Sequence, residues 1–342
     1  MFNPIATYRL QFHAGFTFKD FEAIIPYLHQ LGIKTIYASP IFKAVPGSMH
    51  GYDGLDPNAI NPEIGSLQEL KSIAKRLKQL KMSWIQDIVP NHMGFHQENL
   101  WLMDVMKNGE QSKYRGYFDI ISEDLEKDPL MLPFLGASLE DAIASDSIKV
   151  IKKGNAHLLN YYDNSWPLRP DTNLKGSLPD IIAQQYYRPC HYQETNEKIN
   201  YRRFFTVNNL ICLNIQKEEV FRDYHALTKK LLDQGIFQGL RIDHVDGLYD
   251  PSAYLQQLRQ LCGPDAYILV EKILEPGETL PAEWPVQGTT GYDYLGLVNQ
   301  LFTNKAAARP FSRFYQGLNE QQVPVAQQIR KKKRDFLLAF MQ

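Results

Sequence analysis

Three apolar, β-rich segments of this chain end in ionisable residues, and that pattern restricts the folds open to it. The first is Trp84–Val89 (WIQDIV), which carries Asp87 and is followed by Pro90, Asn91 and His92. The second is Gly239–Val245 (GLRIDHV), with Arg241, Asp243 and His244. The third is Tyr267–Ile273 (YILVEKI), with Glu271. A carboxylate inside an apolar strand is costly unless it is paired or put to use. One such residue alone is most simply a buried ion pair, for example Arg241 with Asp243. Three at the same end of successive strands point to a site, because parallel α/β barrels build their sites at that edge.

The intervening segments supply the crossovers that parallel strands need. Ala6–Phe12 is β-rich. Phe21, Ile24, Ile25, Leu28 and Leu31 then fall at helical spacing up to Gly32, with Pro26 expected to kink or shorten the helix. Ile33–Ala38 reads as a strand, followed by a long polar loop with Pro46, Gly47 and Gly51. Ser66 and Glu69 form a capping box before an amphipathic run from Leu67 to Leu80. From about Phe95 to Phe205 the alternation is lost, which reads as an insertion after the third strand. Helices are expected over Glu218–Gln234, closed by Gly235, over Ala253–Leu261, and in segments after Asp293. The fold class is therefore α/β, of (β/α)8 TIM-barrel type. It is expected to be incomplete, with about five strands where a closed barrel has eight. The expected division is 1–95 as the first part of the barrel, 96–205 as a mixed insertion subdomain and 206–342 as the continuation of the barrel.

Charge and cysteine usage exclude several classes. Lys and Arg total 37 against 38 Asp and Glu, so a basic nucleic-acid binder is not indicated. The basic run Arg330–Arg334 reads as a solvated helix face. No apolar run is long enough for a membrane span, and the first residues do not read as a signal peptide. Cys190, Cys212 and Cys262 match no metal or redox spacing. Free thiols in a cytoplasmic protein are the expectation.

Two carboxylates and an arginine suit sugar chemistry. A retaining glycosidase places two carboxyl groups about 5–5.5 Å apart, one as nucleophile and one as acid/base. Arg241 is two residues from Asp243, on the same strand face, where a cation favours the ionised nucleophile. Glu271 on the next strand suits the proton donor. Metal chemistry competes, since Asp87, His92, Asp243, His244 and Glu271 are all candidate ligands, but their spacing fits no dedicated zinc motif.

DIVPNH, GLRIDH and VEKIL resemble the first three signature segments of the α-amylase superfamily, glycoside hydrolase family 13. TYRLQF, YASPIFKAVPGSMHGYDGLDPNAINPEIG, NYRRFF, GLRIDHVDGLYDP and GTTGYD narrow the resemblance to its maltooligosyl trehalose synthase family, over residues 7 to about 300. Pro189–Glu194 (PCHYQE) fits less well. The resemblance implies Asp243 as nucleophile, Glu271 as acid/base and Arg241 as the support of Asp243. It implies that His92 and His244 bind sugar hydroxyls, and that Tyr52 stacks under the sugar beside His50. Asp87 and Asn91 would orient the site. Trp284, Thr289, Thr290, Tyr292 and Asp293 would line the reducing-end side, with loop packing as the alternative for Trp284 and Tyr292. The implied reaction is intramolecular transglycosylation of a maltooligosaccharide from an α-1,4 to an α,α-1,1 (trehalose) end. No cofactor and no metal are implied, although the matching Asn binds calcium in calcium-dependent amylases.

The third acidic residue of the superfamily, an Asp after a His, has no counterpart after residue 293. The chain is therefore expected to correspond to the N-terminal part of such an enzyme and to be poorly active alone, with a C-terminal complementing chain as a further partner. A hydrolytic amylase and a non-catalytic maltodextrin-binding fragment are the rival readings.

Overall fold

The computed structural model describes residues 3–318 and 323–340. Six strands form one parallel sheet: β1 (Thr7–Leu10), β2 (Thr35–Ala38), β3 (Ser83–Ile88), β4 (Gly239–Ile242), β5 (Tyr267–Val270) and β6 (Gly288–Thr289). They are hydrogen-bonded in chain order, from β1 at one edge to β6 at the other. The pattern is that of a barrel wall left open. The sixth strand was not expected: it has two residues, in a Gly-Thr-Thr-Gly stretch with no apolar pattern. A hairpin, Phe42–Ala44 with Gly54–Ile60, likewise replaces part of the expected polar loop.

Local chemistry explains where the helices fall. Helix α1 (Phe18–Gln30) starts at a Thr17/Asp20 capping box and continues past Pro26 to Gln30. The expected shortening does not occur. Proline removes the N–H that would have bonded the Glu22 carbonyl, and Arg76 donates to that carbonyl instead (3.2 Å). Arg76 comes from α2 (Leu67–Gln79), which opens at the Ser66/Glu69 capping box. The helix expected over 218–234 is two helices, α3 (Glu218–Tyr224) and α4 (Ala226–Asp233). His225 sits at the break, its ring held between the Phe221 carbonyl (2.7 Å) and the Tyr254 hydroxyl (2.9 Å). Helix α5 (Pro251–Cys262) carries the crossover from β4 to β5.

Between β3 and β4, residues 92–212 form small sheets of their own. Three antiparallel strands run over Ile148–Lys153, Ala156–Tyr161 and Asn164–Pro167. Leu130–Leu135 pairs in parallel with Tyr187–His191. His92–Gly94 pairs with Leu210–Cys212, tying the two ends of this segment together. One continuous cluster of buried side chains runs from the sheet into this segment, from Phe12, Trp84 and Ile242 to Leu132, Tyr187 and Leu213.

Three further helices follow β6: α6 (Tyr292–Leu301), α7 (Ala308–Leu318) and α8 (Val325–Phe340). From 292 to 339 none of the described residues is buried. Among the described residues no helix is long and apolar enough to cross a membrane.

Candidate active site

Register brings the first two ionisable residues together. Arg241 on β4 lies directly beside Asp87 on β3. The strands end at Ile88, Ile242 and Val270, earlier than expected, so Asp243 and Glu271 are the first residues past their strands. Their backbones stay tethered to the neighbouring strand ends: Asp243 N–H donates to the Ile88 carbonyl (2.9 Å) and Glu271 N–H to that of Ile242 (2.8 Å). Leaving the pleat at this point frees both side chains to converge on one guanidinium.

Arg241 contacts three carboxylates. Its Nη1 donates to Asp87 Oδ1 (2.9 Å) and Asp243 Oδ1 (2.6 Å), and its Nη2 lies 3.0 Å from Glu271 Oε1. Burial works against the arginine's charge, but the surrounding carboxylates outweigh it and raise its pKa further, so it is permanently cationic. Burial raises the pKa of Asp87, while Arg241 and two phenols oppose the shift. Those phenols, Tyr37 and Tyr52, both donate to Asp87 Oδ2 (2.8 and 2.7 Å). Burial likewise pushes Asp243 up to about 7, with Arg241 pulling down and the Asp87 and Glu271 charges adding to the rise. The expected effect of Arg241, an Asp243 held firmly ionised, is therefore only partly realised. With Asp87 and Asp243 ionised around the single arginine the floor carries a net negative charge, which favours positive charge developing on a bound group.

His244 adopts a left-handed backbone conformation (φ 47°). That turn aims its N–H at Glu271 Oε2 (2.9 Å) and leaves its ring against Phe204 and Phe205. Gly247 makes the turn possible, since a Cβ there would lie 2.3 Å from the His244 ring and 2.7 Å from Asn91 Oδ1. Tyr292 approaches Glu271 from the other side, its hydroxyl 3.4 Å from Oε1.

Arg241, Asp243, Glu271 and Tyr292 floor a cleft of about 720 Å³, lined also by Arg9, Tyr37, His50, Tyr52, His92, Phe204, Leu210, Thr290 and Leu295, whereas His244 is not among its lining residues. A volume of that order suits a small organic ligand. Burial lowers His92 to about 4, so the ring is neutral. Its Nε2 then donates to the Tyr52 carbonyl (3.1 Å) and its Nδ1 accepts from Asn91 Nδ2 (3.1 Å). Both nitrogens are thus occupied, and the expected hydroxyl-binding role of His92 is not free in this arrangement. Asn91 Oδ1 in turn accepts from Arg202 (3.3 Å), a residue of NYRRFF.

Other expected residues fall outside the cleft wall. Trp284 packs against the core with its indole N–H on Ser252 Oγ (2.8 Å), so the loop-packing alternative describes its position. Thr289 Oγ1 donates to Asp293 Oδ1 (3.0 Å), and the two brace the start of α6. Asp87 and Asn91 lie beneath the floor. Conversely, Arg9, Tyr37, Phe204, Leu210 and Leu295 line the cleft without having been assigned a role. A signal for two of them existed: Arg9 and Tyr37 are polar residues at matching positions in β1 and β2.

Comparison with known proteins places the fold among sugar-active enzymes. Residues 20–262 match the alpha-amylase catalytic domain. A putative maltooligosyl trehalose synthase of Mycobacterium tuberculosis is 37% identical over 332 residues, 94% of this chain and 42% of that protein. The structure of maltooligosyltrehalose synthase from Arthrobacter ramosus superposes with a TM-score of 0.92 at 33% identity, covering 99% of this chain and 44% of that one. The structure titled DSM5389 glycosyltrehalose synthase gives 0.90 at 38% identity, covering 98% and 46%. An intracellular maltogenic amylase of Bacillus subtilis is 39% identical over 106 residues, 30% of this chain. The chain thus spans less than half the length of the synthases it matches.

Proposed function

The chain belongs to the alpha-amylase catalytic-domain family, and on that premise we propose that it carries the glycosyl-transferring centre of a trehalose-forming enzyme acting on maltooligosaccharides. One observation carries the reading: Asp243 and Glu271 share the Arg241 guanidinium at the floor of an aromatic-walled cleft. This is the pair of carboxyl groups that a retaining mechanism requires.

In the proposed sequence, the carboxylic acid of Glu271 gives its proton to the glycosidic oxygen of the last α-1,4 linkage. Asp243 attacks the anomeric carbon as that C–O bond breaks, leaving a glycosyl ester on Asp243 and a free glucose in the cleft. The glucose turns, and its anomeric hydroxyl passes its proton to Glu271 while attacking the anomeric carbon of the glycosyl ester. The Asp243 bond breaks and an α,α-1,1 linkage forms. Arg241 supports Asp243, and Asp87 and Asn91 orient Arg241 and His92. Tyr52 stacks on the sugar with His50 beside it, and His244 binds a sugar hydroxyl. Thr290 and Tyr292 face the reducing-end glucose, with Thr289 and Asp293 holding the turn that presents them. Apolar rings around the cleft exclude the water that would hydrolyse the ester.

A second polypeptide segment is proposed to complete the sheet by pairing with the outer edges of β1 and β6. Turnover by this chain alone is expected to be far below the ordinary range of about 1–1000 per second. The three free cysteines fit a reducing compartment such as the cytoplasm.

The test is incubation with maltopentaose while reducing ends and free glucose are followed together, alongside calorimetric binding. A slow loss of reducing ends without matching glucose is expected. A parallel rise of reducing ends would instead establish a hydrolase, and binding with no turnover the non-catalytic fragment that the open sheet favours. Absence of binding would overturn the reading.

A further inference from the structure

We infer that Arg9 and Gln11 of the TYRLQF segment are positioning residues that set Tyr52, and with it one wall of the cleft; the sugar-binding part of this inference rests on the function proposed above. Arg9 lies in β1 and Gln11 is the first residue past its end. Arg9 Nη1 donates to Gln11 Oε1 (3.1 Å), and Gln11 Nε2 donates to the Met49 carbonyl (2.7 Å). The 49–52 turn is thereby tied to β1 immediately before Tyr52.

The other end of Arg9 reaches the ring itself. Its Nη2 lies 3.4 Å from Tyr52 Oη, and its guanidinium sits 5.5 Å from the centre of the Tyr37 ring. Arginine is a donor only. Tyr52 Oη must therefore accept from it, which directs the single phenolic proton to Asp87 Oδ2. Asp87 holds Arg241 through its other oxygen. A continuous chain of contacts thus runs from Met49 through Gln11, Arg9, Tyr52 and Asp87 to Arg241. Arg9 lines the cleft, whereas Gln11 is not among its lining residues. That difference separates positioning from direct contact with a ligand.

The experiment compares Arg9→Met, Arg9→Lys and Gln11→Met with the parent chain. Amide hydrogen exchange over residues 46–53, thermal midpoint and maltopentaose affinity are measured on each. Faster exchange over 46–53 in both methionine variants, with an unchanged thermal midpoint, is expected. Affinity should fall by about tenfold in both, the loss of one charge-assisted hydrogen bond, with partial recovery in Arg9→Lys. Unchanged exchange in Gln11→Met would overturn the inference whether or not sugar binds, and so would an affinity loss confined to Arg9→Met. A parent chain that binds no maltopentaose would overturn the proposed function, while the exchange result would still decide the positioning role.

Discussion

The parallel sheet and the helices that follow it are built from similar amounts of apolar residue, yet they end in opposite states. In the sheet, Trp84, Ile36, Leu240 and Ile268 are fully buried. Phe12, Phe18, Phe21 and Phe237 surround the Trp84 ring directly or through one another. In α6 and α7, by contrast, Leu301, Phe311 and Leu318 are each more than two-thirds exposed, as is Phe302 at the C-cap of α6. An amphipathic helix gains its stability chiefly from the surface its apolar face packs on. Buried side chains of α1, α2, α4 and α5 join those of the sheet in one cluster. The described residues provide no comparable surface for α6 to α8. Amphipathic spacing therefore marks a face that can be buried, and a neighbouring surface decides whether it is.

This contrast can be broken by substitutions on either side of it. Trp84→Ala empties the centre of the aromatic cluster and is expected to cost about 3–5 kcal/mol in urea unfolding. A cost below 1 kcal/mol would mean that the sheet is no better packed than the helices. Arg76→Met removes the donor that serves the Glu22 carbonyl beside Pro26. That leaves a partly buried acceptor unmatched, at about 1–2 kcal/mol, and the loss should appear as fraying of the second half of α1 in hydrogen exchange.

Asp243→Asn runs in the opposite direction. Asp243 is raised from 3.8 to about 7 in the folded chain, so the native state binds this proton more tightly than the unfolded one. Its contribution to stability is greatest below about pH 4 and is lost as pH rises to about 7. Asparagine has no such dependence, and Asp87 and Glu271 still accompany Arg241. The variant should therefore be more stable by about 1 kcal/mol at pH 8, a gain typical of relieving a site kept for function, and should gain little at pH 4. A destabilised variant at pH 8 would show that the Arg241 contact outweighs burial. At the small end, Phe302→Ser should change stability by no more than about 0.5 kcal/mol, as for other exposed positions. A larger loss would place Phe302 in a packed surface and remove the contrast between the two regions.

Much of the site was legible because strand periodicity and chemistry coincide. Asp87, Arg241, Asp243 and Glu271 stand out in apolar segments, and parallel register sets Arg241 beside Asp87 with Asp243 and Glu271 just past the ends of neighbouring strands. What escaped was set by single contacts. Nothing in the spacing of α1 shows that Arg76 reaches the carbonyl left bare by Pro26. The break at His225 depends on a hydroxyl from Tyr254, 29 residues away in the chain. The engagement of both His92 nitrogens depends on the Tyr52 carbonyl and the Asn91 amide, which only the folded loop brings near. Trp284 was expected on the reducing-end side from the family resemblance, with loop packing as the alternative, and its indole N–H is held by Ser252 at the start of α5. Arg9 and Tyr37 carried a signal, a charged and a phenolic residue in adjacent strands, but it became decisive only once the register paired them.

The most direct test of the account asks which residue takes the sugar. The Glu271→Gln variant would be treated with an α-maltotriosyl fluoride, whose leaving group needs no proton donor, and then digested and mapped by mass spectrometry. Without Glu271 to activate the second attack, the glycosyl ester should persist. One maltotriosyl adduct is expected, on the peptide that contains Asp243. An adduct on any other residue, or none at all under conditions where the fluoride is bound, would contradict it.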